Sequence, residues 1–138
     1  MDLRDPNVAR FLTALSSHQR ETFVAVFRAW REGGGLLRLV GASMALQTEW
    51  EDQHLTILWA YGPAPSGVSP RFEAPLAALA RRGVPAEAIE EWRDDLTTVS
   101  GVGPTPDGAN VTIPVDEAFD PHDARKLADS SLRLARII

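Results

Sequence analysis

The sequence has no cysteine, a single lysine (Lys126), a single tyrosine (Tyr61) and three scattered histidines. Without cysteine there is no thiolate nucleophile, no thiolate-held zinc or iron–sulfur site and no disulfide framework. No apolar stretch approaches the ~18 residues a membrane helix needs, so no membrane partner is expected. The opening Met1-Asp2-Leu3-Arg4-Asp5-Pro6 lacks the basic-then-apolar order of a signal peptide. The expectation is a soluble, cytoplasmic protein. Basic residues are also in deficit, with 14 Lys and Arg against 19 Asp and Glu and a formal net charge of -5. Nucleic-acid affinity rests on a concentrated basic face, so a nucleic-acid partner is not expected. The pairs and spreads that exist, Arg81-Arg82 and Arg20, Arg28 and Arg31, read as solvated helix faces.

What is present is enough apolar residue for one folded domain over 1–138: 44% of 138 residues are hydrophobic, and a chain of this size buries roughly two-thirds of its extended surface on folding. Pro6 opens a first helix with Asp5 as its cap, and Val8, Phe11, Leu12 and Leu15 form its apolar stripe. A capping box, Ser16 with Gln19, restarts the chain as a second helix with the stripe Phe23, Val26, Phe27 and Trp30. Gly33-Gly34-Gly35 ends it.

Leu36 to Tyr61 reads as a hairpin. Its first strand is long and runs through Gly41, where a bulge or bend is expected. A four-residue turn, Glu51-Asp52-Gln53-His54, puts Met44, Leu46 and Trp50 on one face with Leu55, Ile57, Trp59 and Tyr61. Gly62 to Arg71 is Pro/Gly-rich and reads as a loop. Two short helices follow, opened by Pro75 and Pro85, the second with the stripe Ile89, Trp92 and Leu96. Thr97 to Val102 is β-prone. Val111, Ile113 and Val115 alternate as a strand in which Pro114, having no N–H, predicts a sheet edge. Asp120-Pro121 opens a last helix.

The resulting order is αα-ββ-αα-ββ-α, an α+β domain with one antiparallel sheet of about four strands, in two hairpins, covered by helices. As architecture only, this is similar to the helix–hairpin–helix–hairpin–helix order of secretion-chaperone-like folds. The extra helices depart from that order, and no motif carries the likeness.

Chemistry-bearing motifs are scarce. Gly41-Ala42-Ser43-Met44-Ala45 imitates a nucleophile elbow, but a strand and not a helix follows the serine. Gly101-Val102-Gly103 lacks the helix that a dinucleotide fingerprint needs directly after it. The turn around Gly83-Val84 resembles a helix-turn-helix, yet the second helix carries Glu87, Glu90, Glu91, Asp94 and Asp95, which phosphates would repel. The histidines His18, His54 and His122 show no metal-ligand spacing. Glu49, Glu51, Asp52 and His54 around the hairpin turn form a possible polar site of oxygen and imidazole ligands, and read more simply as a solvated turn.

No catalytic residue, cofactor or metal is therefore expected. Trp50 at a hairpin end, Pro114 on an edge strand and the apolar terminus Ile137-Ile138 are the candidate interaction surface, tryptophan being a typical interface anchor. The functional expectation is a non-catalytic protein-interaction or chaperone-like module, homodimeric through a strand edge or a sheet face. The alternatives are a small-ligand binder with its pocket between sheet and helices under the 62–71 loop, and a small carboxylate/His enzyme at the first hairpin.

Overall fold

A computed structural model describes residues 6–13, 15–62, 70–99, 101–102 and 110–138. In chain order the elements are α1 (Pro6–Thr13), α2 (Ser17–Glu32), β1 (Leu36–Val40), β2 (Ser43–Trp50), β3 (Gln53–Tyr61), β4 (Arg71–Ala74), α3 (Leu76–Arg81), α4 (Ala86–Leu96), β5 (Val111–Pro114) and α5 (Pro121–Ile137). The strands form one antiparallel sheet whose neighbour order is the chain order, β1 to β5. The α+β class with a single antiparallel sheet is as expected. No helix of the described residues is long and apolar enough to cross a membrane.

The helix starts follow their local chemistry. At Ser16 the hydroxyl accepts from the Gln19 backbone N–H, and the Gln19 side chain accepts from the Ser16 N–H. Asp120 and Asp123 make the same reciprocal pair at the start of α5. Each box satisfies two amide donors that a helix start otherwise leaves open. The cap expected at Asp5 lies outside the described residues.

The strand inventory corrects the expected order in three places. First, the long strand from Leu36 is two strands: Val40 pairs with Ser43 across Gly41-Ala42, and Gly41 has φ +61°. Glycine with positive φ at the first turn position matches the right-handed twist of a hairpin, so Gly41 reverses the chain and does not merely bend it. Second, the β2–β3 turn has two residues, not four. Glu51 and Asp52 both have positive φ (50° and 62°), and Trp50 pairs with Gln53. Third, Thr97 to Val102 makes no strand among its described residues; Val99 and Val102 donate to Leu96 and Val99 in successive turns. β5 pairs instead with β4, which begins on Arg71, the last residue of the segment read as loop, and continues through residues 72–74, for which no strand was expected. The sheet thus has five strands, and β5 with its Pro114 is an edge, as the missing N–H requires.

The register assigns the two faces. Leu37, Met44, Leu46, Leu58, Ala60, Phe72, Ala74, Val111 and Ile113 share one face and all are buried. Against it pack the apolar stripes of the helices. Phe23 of α2 lies 4.7 Å from Phe72 and 5.3 Å from Phe11 of α1, ring centroid to centroid. Such aromatic contacts add about 0.5–1.5 kcal/mol to the burial itself. Leu127, Ala128 and Leu134 of α5 and Trp92 and Leu96 of α4 join the same cluster. Trp30 at the end of α2 is fully buried, and its indole N–H donates to the Leu36 carbonyl at 2.9 Å.

Candidate interaction surface

A single irregularity decides what the other face of the sheet carries. β2 and β3 pair regularly from Trp50–Gln53 to Gln47–Thr56, and then the register jumps so that Leu46 pairs with Leu58. Ile57 is the extra residue of a β-bulge. Two residues on one strand then oppose one on the other, and the side-chain alternation changes phase. Before the bulge the odd position Leu55 faces the core; after it the even positions Leu58 and Ala60 do. Trp59 and Tyr61, expected inside, therefore lie on the outer face, where both are half-buried. This corrects the four-residue-turn register, which assumed unbroken alternation through Ile57.

Two rows of cross-strand partners cover that outer face. One runs Val40, Ser43, Tyr61, Arg71, Pro114, and the other runs Arg38, Ala45, Trp59, Glu73, Thr112. The Trp59 and Tyr61 rings stack at 6.2 Å with an interplanar angle of 25°. The Arg71 guanidinium sits 4.6 Å from the Tyr61 ring centroid, a cation–π contact. Neither Arg71 nor Glu73 has a salt-bridge partner among the described residues; Glu73 accepts one long hydrogen bond, 3.5 Å, from the Asn110 amide. Beside them, Val40 keeps 42% of its surface exposed.

The Tyr61 hydroxyl is held above its ordinary pKa of 10.0, first by burial, then by the Glu73 carboxylate, with Arg71 opposing. Because Tyr61 is the only tyrosine, phenolate absorbance reads this site alone. The expected midpoint lies above 10; Glu73→Gln brings it down and Arg71→Ala raises it further. A raised folded-state pKa means that this group's contribution to stability is intact below pH 10 and is lost as pH climbs through the higher midpoint. A midpoint that does not fall in Glu73→Gln contradicts the placement of Tyr61 beside Glu73.

No family model, curated protein or solved structure matches this chain.

The residues singled out from sequence are dispersed. Pro114 belongs to the outer-face row with Tyr61 and Arg71. Trp50 is half-buried at the tip of the β2–β3 hairpin, where a Cβ on Gly83 would lie 3.7 Å from its ring. Ile137, 55% exposed, lines a shallow cleft with Ala88, Trp92 and Leu134, while Ile138 packs on the core. Glu49, Glu51, Asp52 and His54 surround the hairpin turn, all exposed, with Glu49 and His54 directly paired across strands. Among the described residues no group of three or more His, Asp or Glu side chains is placed to hold a metal ion. The pocket anticipated under the 62–71 loop involves residues 63–69, which lie outside the described residues.

An open cleft of about 360 Å³ lies at the β2–β3 turn itself, lined by Glu49, Trp50, Glu51, Asp52, Gln53 and His54; others lie between helices. One of about 260 Å³ lies between the end of α4 and α5, lined by His122, Arg125, Lys126 and Arg133 with Asp95 and Asp129. Two of its cations are engaged: Lys126 donates to the Thr98 carbonyl at 3.1 Å and Arg133 pairs with Asp95 at 3.1 Å. The first of these satisfies a carbonyl just past the end of α4, where positive charge is favourable. A second cleft of about 340 Å³ lies between α3 and α4, lined by Leu76, Ala80, Val84 and Ile89.

Sequence reasoning missed Trp59, Tyr61, Arg71 and Glu73 as surface residues. The available signal was the change of phase from Leu55-Thr56-Ile57 to Leu58-Trp59-Ala60: two adjacent large aliphatic residues in a strand that otherwise alternates.

Proposed function

We propose that this chain is a non-catalytic protein-interaction module whose docking surface is the outer face of its sheet, centred on Trp59, Tyr61, Arg71 and Glu73. One observation carries the reading: a stacked Trp–Tyr pair with an arginine over it stands on the face opposite the helix-packed core. Trp, Tyr and Arg are the residue types that dominate binding energy at protein interfaces. An aromatic pair that the core does not use, bordered by groups of both charge signs, supplies an apolar centre with a polar rim.

A photo-crosslinking amino acid at position 59 tests this in cells that make the protein, with position 28, exposed on α2, as the control. The expected result is one discrete product from position 59 and none from position 28. The same association should be rebuilt from purified components and lost in Arg71→Glu. Equal labelling from both positions, or an association indifferent to Arg71→Glu, would remove the outer face from the function.

A further inference from the structure

We infer that the occupant of this face is a second copy of the chain, packed sheet on sheet about a two-fold axis that lies along the line Leu39–Met44–Ala60–Phe72–Ile113. The inference rests on the reading of the outer face as a docking surface and names the partner. Those five residues are mutual register partners, one on each strand. They point into the core, so their positions on the outer face lie midway between the two outward rows.

An axis in the interface plane along that line turns each strand end for end and lays it over its own copy. It exchanges the two rows. Arg71 then faces Glu73 of the partner subunit, and Glu73 faces Arg71 of the partner subunit. Trp59 likewise faces the partner subunit's Tyr61, and Tyr61 faces the partner subunit's Trp59. Two-fold contacts need this self-complementarity, since each patch must match its own image. Here it follows from having one charge of each sign at positions 71 and 73 and one aromatic ring at each of positions 59 and 61. Arg38 meets Val40 of the partner subunit and not a second arginine, so the arrangement opposes no like charges.

Packed twisted sheets cross at roughly 30°, which the two-fold reaches when its axis tilts within the interface plane away from that line; the match is then tightest near the centre of the sheet, at β3 and its neighbour β4. Those strands carry the aromatic and charged groups. Both ions are also available: neither Arg71 nor Glu73 makes a salt bridge among the described residues. The contact is small. About that axis three residues of each strand lie over their image, so at about 3.3 Å per residue and 4.8 Å per strand each subunit presents roughly 240 Å² in projection, roughly 500 Å² for the pair before side-chain relief. Stable specific interfaces start near about 1,000 Å², so this is an association of the weak class, directed by its charge match.

The test is a charge swap read by sedimentation equilibrium of the full chain, from micromolar to several hundred micromolar, with circular dichroism confirming that each variant is folded. The native chain is expected to pass from monomer to dimer within that range. Arg71→Glu and Glu73→Arg, made singly, each place like charges opposite one another. Each should weaken association by at least about tenfold. The double variant Arg71→Glu/Glu73→Arg restores opposite signs across the axis and should recover most of the lost affinity. A native chain that stays monomeric throughout overturns the inference, and so does a dimer that ignores the single swaps or is not rescued by the double one. Failure of this kind is separable from failure of the docking reading: a monomer whose position-59 crosslink joins it to one different protein keeps the face and removes only the second copy.

Discussion

Gly35→Ala is expected to be the most damaging glycine-to-alanine change among the described residues, costing at least about 3 kcal/mol or preventing folding outright. A Cβ built on Gly35 would lie 2.2 Å from the Trp30 indole nitrogen and 2.3 Å from Cε2. The ring cannot retreat. Trp30 is fully buried, its N–H is bonded to the Leu36 carbonyl, and the Gly35 N–H is itself bonded to the Trp30 carbonyl at 2.9 Å. Two neighbours serve as controls. At Gly33 the three atoms nearest an added methyl all belong to the buried Leu132 side chain, which can turn about its own bonds as the clamped indole cannot. At Gly34 it meets nothing within 4 Å, but φ is +95°, so alanine there costs backbone strain of about 1–2 kcal/mol. Urea denaturation should rank Gly35→Ala far below both. Near-equality of the three would mean that Trp30 is not clamped against the chain reversal.

Phe72→Ala should cost about 3–5 kcal/mol, a large share of the ~5–15 kcal/mol that holds a domain together. Phe72 is fully buried on β4, with Phe23 at 4.7 Å on one side and Phe119 at 6.3 Å on the other. Truncation leaves a cavity where helix layer and sheet meet. Trp59→Ala, measured at a concentration where the chain is monomeric, removes a larger ring from the opposite face, yet should cost much less, because that ring is only half-buried. The comparison reads the two faces of the sheet directly. If Trp59→Ala proves as costly as Phe72→Ala, the phase change at Ile57 does not put Trp59 outside.

The helical half of the molecule was legible in the residues. The stripes Val8–Leu15 and Phe23–Trp30 recur at helical spacing, and the Ser16–Gln19 capping box needs only residues three apart, so local chemistry sets both; at Asp120-Pro121 the helix start was legible, its reciprocal pairing with Asp123 was not. The hairpins were less so, for two physical reasons. Glu51 and Asp52 take left-handed backbone conformations that turn statistics reserve mostly for glycine and asparagine, so the two-residue turn carried no recognisable signature. The bulge at Ile57 then converts one continuous alternation into two of opposite phase, and a reading that keeps a single phase places every later side chain of β3 on the wrong face. β4 is four residues long between prolines at 70 and 75; an Arg-Phe-Glu-Ala alternation that short yields to the loop signal around it. The candidate surface was invisible for the same cause, since its centre lies downstream of the bulge. Pro114, which the missing N–H marks as an edge position, stands in the same cross-strand row as Tyr61 and Arg71.

Because neighbours in the sheet are neighbours in the chain, assembly of the sheet is unevenly demanding. β1 with β2, and β2 with β3, each meet across two residues, whereas β5 reaches β4 only after residues 75–110. Ring-closure entropy grows with the number of residues enclosed, so the first three strands can zip on local contacts while the last must wait for a wide excursion to be reined in. Its outer margin is also short and lacks one amide donor. The edge at β5 is therefore the natural place for the folded sheet to begin unpeeling, and amide exchange there should be the fastest of the five strands.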